Sequence, residues 1–209
     1  MKILGISTSF RANGNTEILM KTALESAEKE GADTEFLSVI GKEIRPCEGC
    51  MSCQKTFRCK IDDAMQEIYP KMLSADGVIL GSPVFFWTLS GIAKVLIDRT
   101  YCLRFPKLAL QNKVGGMILV ASRTGIMNAA SVLDLYFRNN HMITADIVTG
   151  LGSEKGSVLK DEFAMQEAAE LGRQMVALAR QGFRYPDTYD CDLNTYVRKT
   201  YGKKSSPFE

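Results

Sequence analysis

"KILGISTSFRANGNTEILMKTALESAEKEG" runs from Lys2 to Gly31, and its reading decides the fold. "KILGIS" is a short, mostly apolar run, the pattern of a strand buried on both faces. "NTEILMKTALESAEKEG" sets Ile18, Leu19, Leu24 and Ala27 at roughly helical spacing, and Gly31 supplies a stop. Between strand and helix lies the polar stretch "STSFRANGNT". A buried strand, a polar loop and a helix form the opening of a βαβ unit.

The alternation continues along the chain. "DTEFLSVI" reads as a second strand, "DGVILGS" as a third, "KVGGMILVAS" as a fourth and "MITADIVTG" as a fifth. The intervening helices are "DDAMQEIYPKMLS", "LSGIAKVLIDR" and "TGIMNAASVLDLYFRNN", and the long amphipathic "SVLKDEFAMQEAAELGRQMVALARQG" closes the series. The first of these starts on acidic residues, as a helix start should, and Pro70 is expected to break or kink it. Strands separated by helices imply a parallel sheet covered on both faces. Five of them predict a flavodoxin-like, doubly wound sheet of order 2-1-3-4-5 over residues 1–182. Residues 41–61 have no clear period and read as a cysteine-rich loop inserted in that domain. From Phe183 to Glu209 the chain is polar, with Tyr185, Tyr189, Tyr196 and Tyr201, and reads as an extension outside the core.

Composition narrows the class. The 209 residues suit one domain, with 45% apolar and 24% charged residues, as in an ordinary soluble protein. A net charge of +2 gives no reason to expect nucleic acid or an anionic membrane as partner. Met1-Lys2 leads straight into the first strand, with no signal peptide in view, and no apolar run approaches a membrane span. The expected location is the cytoplasm, where structural disulfides are rare.

In a doubly wound sheet, ligands bind at the carboxyl ends of the strands, near the point where strand order reverses. The first strand ends there in Ser7, Thr8, Ser9, Arg11, Asn15 and Thr16. Hydroxyls, a guanidinium and a helix N-terminus suit a phosphate monoester. Neither the Walker pattern nor G-x-G-x-x-G is present, and a plain Ser/Asn helix cap is the alternative. The third strand ends in "GSPVFFWTLSG", where Val84, Phe85, Phe86 and Trp87 follow Ser82 and Pro83. An aromatic lip at that edge suits a flat heteroaromatic ring, although such residues also simply pack between helices. "ASRTG", with Ser122 and Gly125, closes the fourth strand at the same edge. The three loops fit a mononucleotide lying across it.

Four of the six cysteines fall in "PCEGCMSCQKTFRC", as Cys47, Cys50, Cys53 and Cys59 in the spacing C-x2-C-x2-C-x5-C. Three thiols at every third residue let one coiled loop aim all three inward, and the fourth is within reach of the same centre. A four-iron, four-sulfur cluster needs four thiolates around it. Zinc, a redox thiol pair and unligated thiols remain open on spacing alone, although three cysteines in seven residues crowd a tetrahedral zinc. Lys42, Arg45, Lys55, Arg58 and Lys60 against Glu43 and Glu48 leave a local charge of +3, favourable for an anionic cluster or an acidic electron carrier. His141, the single histidine, opens a strand without a visible partner and is not read as catalytic. Cys102 and Cys191 read as free thiols.

"STSFRANGNT", "GSPVFFWTLSG" with the following "KVLIDR", and the compact cysteine run before "DDA" together resemble the iron–sulfur flavoprotein family. That family lies within the flavodoxin-like NAD(P)H-dependent FMN reductases, and the resemblance covers roughly residues 1–180. It implies that Ser7, Ser9, Arg11, Asn15 and Thr16 hold the FMN phosphate. It implies that Ser82, Pro83, Val84, Phe85, Phe86 and Trp87 hold the isoalloxazine, with Ser122 and Gly125 matching less specifically. It further implies a 4Fe-4S cluster on Cys47, Cys50, Cys53 and Cys59, and no catalytic acid or base from the chain. Ferredoxin or a similar carrier is the implied donor, with oxygen, peroxide or a quinone as acceptor. A homodimer or homotetramer is implied, with a cluster near a neighbouring chain's flavin. The alternatives are an NAD(P)H-dependent FMN or quinone reductase without a cluster, and a non-enzymatic electron carrier.

Overall fold

The chain builds β1 (Lys2–Ser7), α1 (Asn15–Lys29), β2 (Asp33–Ser38), α2 (Cys53–Thr56), α3 (Met65–Ser74) and β3 (Gly77–Phe85). It continues with β4 (Thr88–Leu89), α4 (Gly91–Arg99), β5 (Val114–Ala121), α5 (Ile126–Asn139), β6 (Ile143–Leu151) and α6 (Glu162–Gln181). The structure is a computed structural model and describes residues 1–186. The sheet order is β2-β1-β3-β5-β6, every pair in it parallel, and β4 lies antiparallel to β3. Among the described residues there are thus six strands rather than the expected five. With the two-residue β4 set aside, the parallel strands follow the expected doubly wound order. Strand order reverses between β1 and β3, which places the ligand crevice beside the ends of those strands.

Each face of the sheet is buried under helices. Ile3, Ile79 and Ile118 pack against Leu19, Met20 and Leu171 of α1 and α6. Leu4, Leu80 and Leu119 pack against Met72, Leu96 and Phe137 of α3, α4 and α5. Gly172 lets α1 and α6 meet closely: a Cβ there would lie 2.1 Å from the Ala23 carbonyl oxygen. Pro70 lies inside α3, which runs on to Ser74, so the helix does not break there. Of the expected extension, the first residues pack on the core. Tyr185 stacks on His141, and its N–H donates to Asn112 Oδ1 at 2.8 Å. Tyr189, Cys191, Tyr196 and Tyr201 lie outside the described residues.

The largest departure follows β3. Pro83 to Phe85 belong to the strand rather than to a loop, and only Phe86 and Trp87 make the turn into β4. Both have positive φ, 49° and 72°, the backbone of a type I′ hairpin. That turn favours Asn and Gly, so two aromatics hold it at a cost in strain. Gly125 makes room for it: a Cβ there would meet the Trp87 Cα at 2.9 Å. Phe86 is 97% exposed, so its ring contributes almost no burial to set against that strain. Phe86→Asn is therefore expected to stabilise the fold by about 1 kcal/mol, since Asn tolerates left-handed backbone. Urea unfolding of the two proteins measures this, and an unchanged or lowered midpoint would contradict the strain.

Candidate functional site

The first site grows out of the end of β1. Thr8 fastens the loop to β3, its backbone N–H and its Oγ1 both donating to the Gly81 carbonyl at 2.8 Å. The Ser9 N–H donates to Ser7 Oγ, and the Arg11 N–H donates to Ser9 Oγ at 3.2 Å. α1 begins at Asn15 with no side chain capping it. Its first-turn amides are therefore left to an anion, and the helix dipole favours one. The Asn15 amide itself is spent: it donates to the Glu154 carbonyl at 2.9 Å and to Ser157 Oγ at 3.0 Å. Arg11 Nη1 donates to the Ser153 carbonyl at 2.8 Å. Both side chains thus stitch the first loop to the segment after β6.

These loops enclose a cavity of about 340 Å³. Ser9, Arg11, Asn15, Thr16, Pro83, Val84, Phe85 and Ser122 line it, which brings together eight of the expected residues. Five others do not line it. Ser7 is buried beneath the loop, and Ser82 Oγ is held by Ser90 and the Pro83 carbonyl. Phe86 and Trp87 project from the hairpin, and Gly125 supports that hairpin. The cavity also takes Phe10, Gly152, Ser153 and Lys155, which the sequence reading missed. "GLGSEKGS" (150–157) carried a usable signal: a Gly/Ser-rich stretch with a lysine at the carboxyl end of the last strand. Uncapped amides, hydroxyls and two cations on one wall, with apolar Val84 and Phe85 on another, fit a phosphate joined to a flat ring.

The cysteines form a second site. Cys47, Cys50, Cys53 and Cys59 are free thiols and all line one cavity of about 460 Å³. Left-handed backbone at Gly49, Met51 and Phe57 coils the run around it. The run, expected to be an irregular loop, is not wholly so, because Cys53 opens the short helix α2. Among the described residues, no group of three or more His, Cys, Asp or Glu converges to hold a single metal ion. Burial pushes the Cys53 thiol up to about 11, and the neighbouring thiolates of Cys102, Cys50 and Cys59 add to it. A metal must displace that proton to bind. Cys102, read from sequence as a free thiol, lines the same cavity.

Arg99, at the end of α4, closes the cysteine loop. It is buried with Asp63, Nη1 lying 2.5 Å from Oδ2 and Nη2 3.0 Å from Oδ1. Nη1 also donates to the Arg45 carbonyl at 2.7 Å, and Nη2 to the Ile61 carbonyl at 3.4 Å. One guanidinium therefore binds the chain on both sides of the cysteine run. The cationic patch is smaller than its formal charge suggests. Lys60 pairs with Glu48 at 3.0 Å and Lys42 with Glu67 at 3.1 Å. Lys55 and Arg58 remain exposed, without an acidic partner among the described residues.

Comparison with known proteins identifies the family. Residues 1–153 match the family model of the NADPH-dependent FMN reductases. An iron–sulfur flavoprotein of Methanocaldococcus jannaschii is 37% identical over 190 residues, spanning 86% of this chain and 98% of that protein. One from Methanosarcina thermophila is 35% identical over 181 residues, spanning 84% and 93%. In structure, the chain is similar to the Trp repressor binding protein from Bacillus subtilis, with a TM-score of 0.63 and 25% identity over 81% of this chain and 98% of that one. The chain belongs to the NADPH-dependent FMN reductase family and, within it, to the iron–sulfur flavoproteins. It is a flavin-dependent oxidoreductase, and FMN is its flavin.

Removal of Arg99 tests the clamp. Burial pushes the Asp63 carboxyl up, but the Arg99 guanidinium and the backbone N–H groups of Arg45 and Met65 outweigh it and hold it below its ordinary value. A depressed carboxylate stabilises the fold fully above its unfolded value of about 3.9, and this is lost as pH falls through the folded value. Arg99→Met strands a buried carboxylate and is expected to cost roughly 3–5 kcal/mol at neutral pH. The deficit should narrow on acidification, as Asp63 takes a proton. Denaturant melts across pH measure it, and a deficit below about 1 kcal/mol, typical of an exposed pair, would refute the clamp.

Proposed function

We propose that this chain binds FMN at the sheet edge and a 4Fe-4S cluster in the cysteine cavity, and passes electrons from a one-electron donor to a small oxidant. The observation that carries this reading is the placing of four free thiols from one run on the wall of one cavity, in a chain that belongs to an FMN family. Thiols spread around a cavity of about 460 Å³ suit a polynuclear group, in which each iron takes one thiolate. A lone zinc instead gathers its sulfurs at about 2.3 Å from one point. When bound, the cluster supplies one-electron steps and the flavin supplies both one- and two-electron steps.

The chain's part is to bind, orient and shield. The first-turn amides of α1, with Ser9 and Thr16, accept the phosphate; Arg11 and Lys155 balance its charge. Asn15 holds the loop after β6 in place. Val84 and Phe85 exclude water from one face of the ring site. Cys47, Cys50, Cys53 and Cys59 give up their protons to become ligands. Arg99 fixes both ends of their loop.

The two cavities share no lining residue. Ser90, which caps the start of α4, bonds Thr8 and Ser82 beside the flavin cavity, while Arg99 ends α4 at the cysteine cavity. Nine helical residues span roughly 13.5 Å, so the sites of one chain lie well apart. This supports a homodimer or homotetramer in which a cluster approaches the flavin of a neighbouring copy. Ferredoxin or a similar carrier is the proposed donor, and Lys55 and Arg58 lie beside the cavity it would face. Oxygen, peroxide or a quinone is the proposed acceptor. NAD(P)H is the alternative reductant that the family description favours.

Two variants test the reading. Arg11→Ala with Lys155→Ala is expected to weaken FMN binding about 10- to 100-fold, the range of charge-assisted hydrogen bonds, with the fold retained. Equilibrium dialysis reads this, and an unchanged affinity removes both cations from the phosphate site. Cys50→Ser is expected to keep FMN and lose the cluster. Flavin reduction by ferredoxin should then slow at least tenfold while direct dithionite reduction does not. A variant that accepts electrons from the donor at the parent's rate would refute the route.

A further inference from the structure

The cysteine cavity holds one thiol more than a cubane needs. Cys102 sits in the 3₁₀ turn Thr100–Arg104 that follows α4, and lines the same cavity as the four cysteines of the run. Cys53 and Cys59 are half-buried and pack on the core, as Cys102 does, whereas Cys47 and Cys50 stand exposed at the lip.

A buried cysteine is most often a small apolar filler. The surroundings of Cys102 are different. Its Sγ lies 3.5 Å from the Arg99 carbonyl, which also accepts from the Tyr69 hydroxyl at 3.0 Å. A second feature of the wall also points to a ligand. Arg99 Nε is buried without a hydrogen-bond partner, on a side chain 0% exposed that lines this cavity. An orphaned donor of this kind calls for an acceptor, and a sulfur-rich anionic group is one.

We propose that Cys102 is a fifth, cluster-competent thiol: the set Cys50, Cys53, Cys59 and Cys102 holds the cluster when Cys47 is lost. This rests on the cluster reading given above. Ligation by Cys102 releases its thiol proton to solvent and forms one iron–sulfur bond, with no change in oxidation state. The inner thiol gives the centre a ligand that does not depend on the exposed start of the loop.

The test uses the full chain as parent, Cys47→Ser, and Cys47→Ser combined with Cys102→Ala. All are loaded anaerobically with ferrous iron and sulfide. Iron, acid-labile sulfide and FMN per chain are measured, together with the spin-resonance spectrum after dithionite reduction. Cys47→Ser is expected to keep iron and sulfide within twofold of the parent. The double variant should lose at least tenfold of both while its FMN content stays the same. Retained FMN separates loss of a ligand from loss of the fold, and Cys102→Ser replaces the alanine if FMN falls. Loss of the cluster in Cys47→Ser alone overturns the proposal, as does a double variant that keeps the cluster. A parent that takes up no iron and sulfide overturns the cluster reading itself, and this proposal with it.

Discussion

The ion pair between Arg99 and Asp63 is the constraint on which the cysteine site depends. Residues 46 to 60 have little secondary structure of their own, only the single turn of α2. A segment of that kind carries backbone groups and thiols that need fixing from outside. Arg99 does this from the end of a helix, binding carbonyls before and after the run as well as the carboxylate. A buried charge pair is a poor source of net stability but a strict specifier of geometry, because either partner alone is costly. The start of the same helix is tied to Thr8 and Ser82 at the flavin edge. α4 is therefore the strut that sets one site relative to the other.

The frame was legible because periodicity is local. Ile3, Leu4 and Ile6 announce β1 within a few residues, and the spacing of Ile18, Leu19, Leu24 and Ala27 announces α1. The phosphate loop was legible for the same reason, since strand end, hydroxyls and helix start are contiguous. What was lost is what the third dimension supplies. Asn15 looks like a phosphate ligand until its amide is found on the segment near Glu154, far along the chain. Lys155 and Ser153 reach the flavin cavity only because β6 ends at the same edge as β1. Arg99 reads as an ordinary basic residue at a helix end, and nothing in its neighbours shows that it is buried. Cys102 lies 43 positions beyond Cys59, and no spacing rule connects them.

The aromatic hairpin shows a further limit. A run of Val, Phe, Phe and Trp after a strand reads as a lip around a ligand, yet a two-residue turn divides it. Val84 and Phe85 stay in the strand and line the cavity, while Phe86 and Trp87 are thrown outward. Apolar character alone carries no information on which side of a turn a residue falls. The strain held at those two residues is of the kind found at functional edges.

Native mass spectrometry of the anaerobically purified protein tests the central claim most directly, because it weighs the chain with everything it holds. The account predicts an even-numbered oligomer whose mass per chain exceeds that of the polypeptide by one FMN and one four-iron, four-sulfur group. Chains that carry FMN with a single zinc, or FMN alone, would contradict it.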